Sequence, residues 1–135
     1  MSAAASLMRR VICSLLLAAA GPTLGADVYV IAHTPMSLNP EQIKEIFLGE
    51  VQFVGPIKAL PIDNSVSQPE FLSKVLKLQA VRYSALWTKK AFRDGLNAPP
   101  LKGTDAEVIA FVRSQPGAIG YVSTLSSGVA LLAKF

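Results

Sequence analysis

The sequence predicts an α/β fold, a mostly parallel sheet flanked by helices. Short β-branched, apolar runs alternate along the chain with longer runs whose apolar positions recur every three or four residues. The first short run, Val28–His33 (VYVIAH), is apolar almost throughout, as a strand covered on both faces must be. Strands separated by helices bury their apolar sides by stacking in layers, which is the α/β solution.

Each element has a local reason. After the first strand, Asn39-Pro40-Glu41-Gln42 opens a helix. Asn39 suits the N-cap, Pro40 the first helical position, where an N–H has no partner anyway, and Gln42 the reciprocal bond of a capping box. This helix runs to about Leu48, buries Ile43, Ile46 and Phe47, and stops at Gly49. Lys58–Ile62 (KALPI) reads as a second strand, and Pro61 confines it to a sheet edge or a strand end. Helices follow at about Pro69–Leu78 and Ala80–Phe92, with Phe71, Leu72, Val75 and Leu76, then Tyr83, Leu86 and Trp87, on their inner faces. Gly95, Asn97, Pro99, Pro100 and Gly103 make Arg93–Gly103 a loop. Thr104-Asp105-Ala106-Glu107 is a capping box for a helix to about Gln115. Ala118–Ser123 and Val129–Phe135 read as the last two strands.

The N-terminus reads as something other than fold. Met1–Ala26 begins with Arg9 and Arg10, continues through the apolar Val11–Ala20 and ends in small residues. That is the pattern of a secretory signal peptide, too short in its apolar run to cross a bilayer comfortably. Cleavage near Ala26 places the mature chain, residues 27–135, in the periplasm as one domain. Without Arg9 and Arg10 the formal charge of the 135-residue chain falls from +4 to +2. No basic stripe remains, so nucleic acid is not an expected partner. Cys13, the single cysteine, leaves with the signal, and the mature chain has neither disulfide nor thiol chemistry.

Catalytic arrangements are sparse. His33, the single histidine, cannot build a His/Cys metal site, and no Gly-x-Ser-x-Gly elbow occurs. Glu41, Glu45, Asp105 and Glu107 fall on first turns or exposed helix faces, where a negative charge favours the helix dipole. Tyr83, Trp87 and Phe92 read as core on one helical face, and Lys89-Lys90 as a solvated helix end. The expectation is a protein that is not an enzyme, with no metal and no cofactor.

The informative segment is Ile62-Asp63-Asn64-Ser65-Val66-Ser67-Gln68-Pro69-Glu70, which passes from a strand into a helix through small polar residues. Such a turn presents main-chain N–H groups and hydroxyls where the helix dipole favours an anion. The competing reading is that Ser67 caps the helix and Glu70 completes a capping box.

A resemblance attaches to this segment. Ile46-Phe47-Leu48-Gly49-Glu50, Pro61-Ile62-Asp63-Asn64-Ser65, Trp87 with Phe92 and Gly95, Pro99-Pro100, Thr104–Val108, and Pro116-Gly117-Ala118-Ile119-Gly120-Tyr121-Val122 occur in that order. The set resembles the short phosphate ABC transporter substrate-binding-like proteins, relatives of the periplasmic phosphate-binding protein. The resemblance implies a single lobe of the type 2 periplasmic-binding-protein fold, residues 27–135. It also implies an inorganic, phosphate-like oxyanion held without covalent chemistry at Asn64, Ser65 and Ser67. Val66 stands where the family carries a glycine. A β-branched residue there resists positive φ and blocks close approach to the backbone. Three partner readings follow: an ABC permease or other envelope protein, a homodimer in which two copies form the cleft, and a ligand-free accessory module derived from the lobe.

Overall fold

The computed structural model describes residues 26–135. The signal segment read at Met1–Ala26 lies, except for Ala26, outside the described residues. In chain order the elements are β1 (Tyr29–Ala32), α1 (Pro40–Phe47), β2 (Phe53–Val54), β3 (Ile57–Lys58), β4 (Leu60–Pro61) and β5 (Asp63–Asn64). Then come α2 (Gln68–Phe71), which continues into a π-helical stretch Leu72–Leu76, α3 (Ala80–Asp94), β6 (Leu101–Lys102), α4 (Asp105–Ser114), β7 (Ala118–Val122) and β8 (Ala130–Lys134).

The main sheet has four strands in the order β4-β7-β1-β8. β4 pairs parallel with β7, whereas β1 runs antiparallel to both β7 and β8. The expected mostly parallel sheet is thus mixed. Helical connections set parallel pairing only for strands that end side by side, here β4 and β7, and β1 enters the middle of the sheet in the opposite direction. The expected strand Lys58–Ile62 is also divided. Lys58 closes the β2–β3 hairpin, and Leu60–Pro61 forms the sheet edge, where the missing Pro N–H costs no ladder bond. A second small ladder, parallel, joins β5 to β6.

Helices cover both faces, which is why β1 and β7 are apolar without interruption. Val30, Ala32, Ile119 and Tyr121 face a core built with Ile43, Phe47, Phe71, Leu76, Tyr83 and Trp87 from α1, α2 and α3. Ile31, Ala118 and Val122 face the other way, onto Val108 and Val112 of α4. Within the larger core Phe71 stacks on Tyr121 at 3.9 Å and meets Phe47 edge-on at 4.7 Å. This fixes the Tyr121 ring and so aims its hydroxyl.

Two glycines are required by contact. A Cβ on Gly120 would come within 2.7 Å of Val108 Cγ1 and 2.9 Å of Ile62 Cγ2, so its absence lets α4 lie close on β7. Gly117 has φ +84°, and a Cβ there would strike the Lys58 carbonyl oxygen at 2.1 Å.

The caps separate into three cases. At α1 the Asn39–Gln42 box is complete, with bonds of 2.8 and 2.9 Å. At α4 Thr104 Oγ1 accepts from Glu107 N, but the Glu107 carboxylate accepts from Gly103 N, one residue before the cap. At α2 Ser67 forms no side-chain cap bond, and the box with Glu70 is absent. Phe92 departs from the expected inner stripe and is 90% exposed. Five residues after Trp87, a helix has turned roughly 140° past it.

Candidate functional site

The polar segment between β5 and α2 is held from below by long-range bonds. Asp63 N donates to Pro100 O at 2.8 Å and Ser65 N to Lys102 O at 2.9 Å, which locks the turn to the loop before α4. Asn64 is fully buried. Its amide donates to Asp105 Oδ1 at 2.7 Å and to Tyr121 O at 2.9 Å, and its Oδ1 accepts from Val66 N at 3.0 Å. Asp105 in turn accepts from Ser123 N, Ser123 Oγ and Thr124 N through Oδ2. Burial opposes its charge, but the bonds from Ser123 and Asn64 outweigh that and hold its carboxyl below the ordinary range.

The three residues expected at the site therefore lie together on one turn, in three different situations. Asn64 points inward with both amide hydrogens engaged, so it positions the turn. Ser65 is exposed, and its hydroxyl donates to Gly103 O at 3.3 Å. Ser67 is 3% exposed, and its Oγ is buried without any hydrogen-bond partner. Two of the turn's main-chain donors, Ser65 N and Val66 N, are engaged inside the molecule. The first helical bond of α2 runs from Phe71 N to Ser67 O. Ahead of it Gln68 and Glu70 carry N–H groups and Pro69 has none. Val66 is 57% exposed on the outside of the turn.

Asp63 lies beneath this turn. Its carboxylate accepts from Tyr83 O–H and Tyr121 O–H, each at 2.8 Å, and it is 3% exposed. Burial lifts its pKa from 3.8 to about 6 against the lowering effect of the two phenols. Both tyrosines are driven up by the same burial and by the neighbouring charge, and stay protonated. A cleft of about 550 Å³ opens beside Asp63, between the start of α2, the inner edge of α3 and the loop before β6. Sequence reasoning passed over Asp63 as a residue with partners, since Tyr83 and Tyr121 lie 20 and 58 positions away. Among the described residues no group of three or more His, Cys, Asp or Glu is placed to hold a metal ion.

Comparison with solved structures gives the architecture a context. A phosphate ABC transporter substrate-binding protein from Clostridium perfringens, solved with bound phosphate, superposes with a TM-score of 0.61 at 16% identity, over 79% of this chain and 45% of that one. The fold is that of about half of this solved protein. PstS from Borrelia burgdorferi gives a TM-score of 0.58 at 16% identity, over 82% of this chain and 49% of that one. An ABC-type phosphate transport receptor from Vibrio cholerae gives 0.52 at 15% identity, with 79% and 46% covered. The chain thus spans about half the length of the structures it matches. No protein-family model matches the sequence, and no curated protein matches it.

Proposed function

We propose that the chain is a periplasmic binding module, one lobe of the phosphate-receptor fold, that holds a small phosphate-like oxyanion without covalent chemistry. The contacts are Ser65 Oγ, Ser67 Oγ and the first-turn N–H groups of α2, on a turn that Asn64 holds in place. One observation carries this reading: the Ser67 hydroxyl, on the residue that precedes α2, is buried and has no partner, so a ligand oxygen that reaches it as the turn opens would satisfy it. A buried polar group left unsatisfied costs about 1–3 kcal/mol, and a ligand oxygen accepting from it removes that cost. The bound phosphate of the Clostridium perfringens protein supports the ligand class.

Thermal unfolding in millimolar phosphate, sulfate and molybdate tests the proposal. Binding to the folded state alone stabilises it by RT ln(1 + [L]/Kd), so the melting temperature rises with ligand concentration. The expected result is a rise with at least one anion, lost in the Ser65→Ala, Ser67→Ala double variant. A flat response to all three removes the reading.

A second reading, a ligand-free accessory module that docks to an ABC permease or another envelope protein, is favoured by the internally engaged amides of Ser65 and Val66 and by the exposed Val66 side chain. A flat titration together with a stable partner recovered from envelope extract selects it.

A further inference from the structure

Charge is divided unevenly over the described chain. Residues 71–93 hold six Lys or Arg and no Asp or Glu, whereas the remainder of residues 27–135 holds five against nine. In the sequence these cations are scattered, but α3 sorts them. Arg82, Lys89 and Arg93 are exposed and fall within about 40° of one another around the helix axis. Lys90 turns aside, where its ammonium donates to Leu48 O and lies 5.7 Å from the centre of the Trp87 ring. Arg93 shares an exposed ion pair with Asp94 at 3.0 Å, and among the described residues Arg82 and Lys89 have no such partner.

Beside the cationic row, about 90° round the helix, Val81, Ala85, Thr88 and Phe92 form a second row about 60° wide. Val81 is 79% and Phe92 90% exposed, the two most exposed large apolar side chains among the described residues. They stand about 16 Å apart along the axis, with the smaller Ala85 and Thr88 between them. The shallow hollow on this face is lined by Ala80, Val81, Ser84, Ala85, Thr88 and Lys89, all of α3 itself. The face is therefore a ridge without a second wall. A groove-binding protein segment needs such a wall, whereas a bilayer takes up a ridge by parting its headgroups. Arg and Lys stems reach back to lipid phosphates while apolar neighbours descend. Antiparallel pairing with a second copy would set Arg82 and Lys89 against their own like charges.

We propose that the outer face of α3 docks on an anionic phospholipid bilayer. Val81 and Phe92 enter the boundary between headgroups and acyl chains, and Arg82, Lys89 and Arg93 meet the lipid phosphates. The contact is peripheral and weakened by salt. It does not depend on an anion at Ser65 and Ser67.

Co-sedimentation with vesicles of equal parts phosphatidylglycerol and phosphatidylcholine, against phosphatidylcholine alone, tests the proposal at low salt and at about 0.5 M salt. Arg9, Arg10 and the apolar Val11–Ala20 favour lipid themselves when present, so each variant is compared with the unaltered chain expressed from the same full sequence. Partition into the anionic vesicles is expected to exceed that into the neutral ones at least tenfold and to collapse at high salt. Arg82→Glu with Lys89→Glu, and separately Val81→Ser with Phe92→Ser, should each lower it at least tenfold. Lys58→Glu with Lys134→Glu makes the same charge change at exposed positions outside α3 and should lower it by less than threefold. None of these side chains is buried, so the melting temperature should stay unchanged in all three variants. Equal partition into the two vesicle types, or equal losses in the two Glu variants, overturns the proposal. Cross-linking from Ala85→Cys to an acidic envelope protein, with no vesicle binding, assigns the face to a protein partner and likewise overturns it.

Discussion

Ser67→Ala should raise the stability of the unliganded chain by about 1 kcal/mol, because it removes a buried hydroxyl that has no partner. The same change should abolish the thermal response to anions. Urea unfolding with and without phosphate checks both halves, and a loss of unliganded stability would mark the hydroxyl as structural. Asn64→Ala should do the reverse. It strips partners from Asp105 Oδ1, Tyr121 O and Val66 N at once and should cost about 3 kcal/mol, read as a lower urea midpoint. Asp63 makes stability depend on pH. Its pKa is about 6 in the folded chain against 3.8, so between those values the folded state binds more protons than the unfolded one. Stability should therefore fall as pH rises through that window, by roughly 3 kcal/mol in all. Asp105, held below its ordinary range, acts oppositely, and its contribution is lost as pH falls through its lowered pKa. Urea midpoints from pH 3 to 8 should fall on both sides of a mildly acidic maximum, and Asp63→Asn should flatten the upper side only. At this scale the sequence was legible in part. It located the turn, but whether Asn64 faces a ligand or the interior depends on Asp105 and Tyr121, which are 41 and 57 residues away and leave no local mark.

Elements with a strong local cause were readable. The complete Asn39–Gln42 box, the unbroken apolar run of β1 and the three-and-four spacing of α3 each express a force acting within one or two turns of chain. Elements of two residues were not. The hairpin β2–β3 and the pair β5–β6 are too short to show periodicity, and Asp63–Asn64 is a polar strand stabilised by what lies beneath it. The π-helical stretch Leu72–Leu76 was likewise hidden; it buries Leu72, Val75 and Leu76, ends at Lys77 with φ 56°, and reads locally as ordinary helix. Packing between elements gives a graded prediction. Gly120→Ala forces side chains of Val108 and Ile62 to shift and should cost about 1–3 kcal/mol. Gly117→Ala sets a Cβ against backbone at positive φ and should cost more, because a carbonyl oxygen cannot rotate away. Comparing the two variants by chemical denaturation checks the order, and equal losses would contradict it.

For the molecule as a whole, the fold class was readable and the strand directions were not, because pattern records which segments are extended but not which way a neighbour runs. On the proposed reading the turn contacts a small anion from one side, and an anion desolvated on one side only is held weakly. If two copies complete the cleft, light scattering should show a dimer whose population grows with ligand, and a monomer at every ligand concentration excludes that arrangement. β1 receives its two neighbours from the far end of the described chain, with Tyr29 paired to Val122 on one side and to Lys134 on the other. Closing so large a loop is entropically slow, and contacts this distant in sequence retard folding. A nascent polypeptide of this topology cannot complete its central sheet until its last strand is free. Its central sheet therefore stays open through most of its synthesis, and the chain remains pliable until β8 docks beside β1.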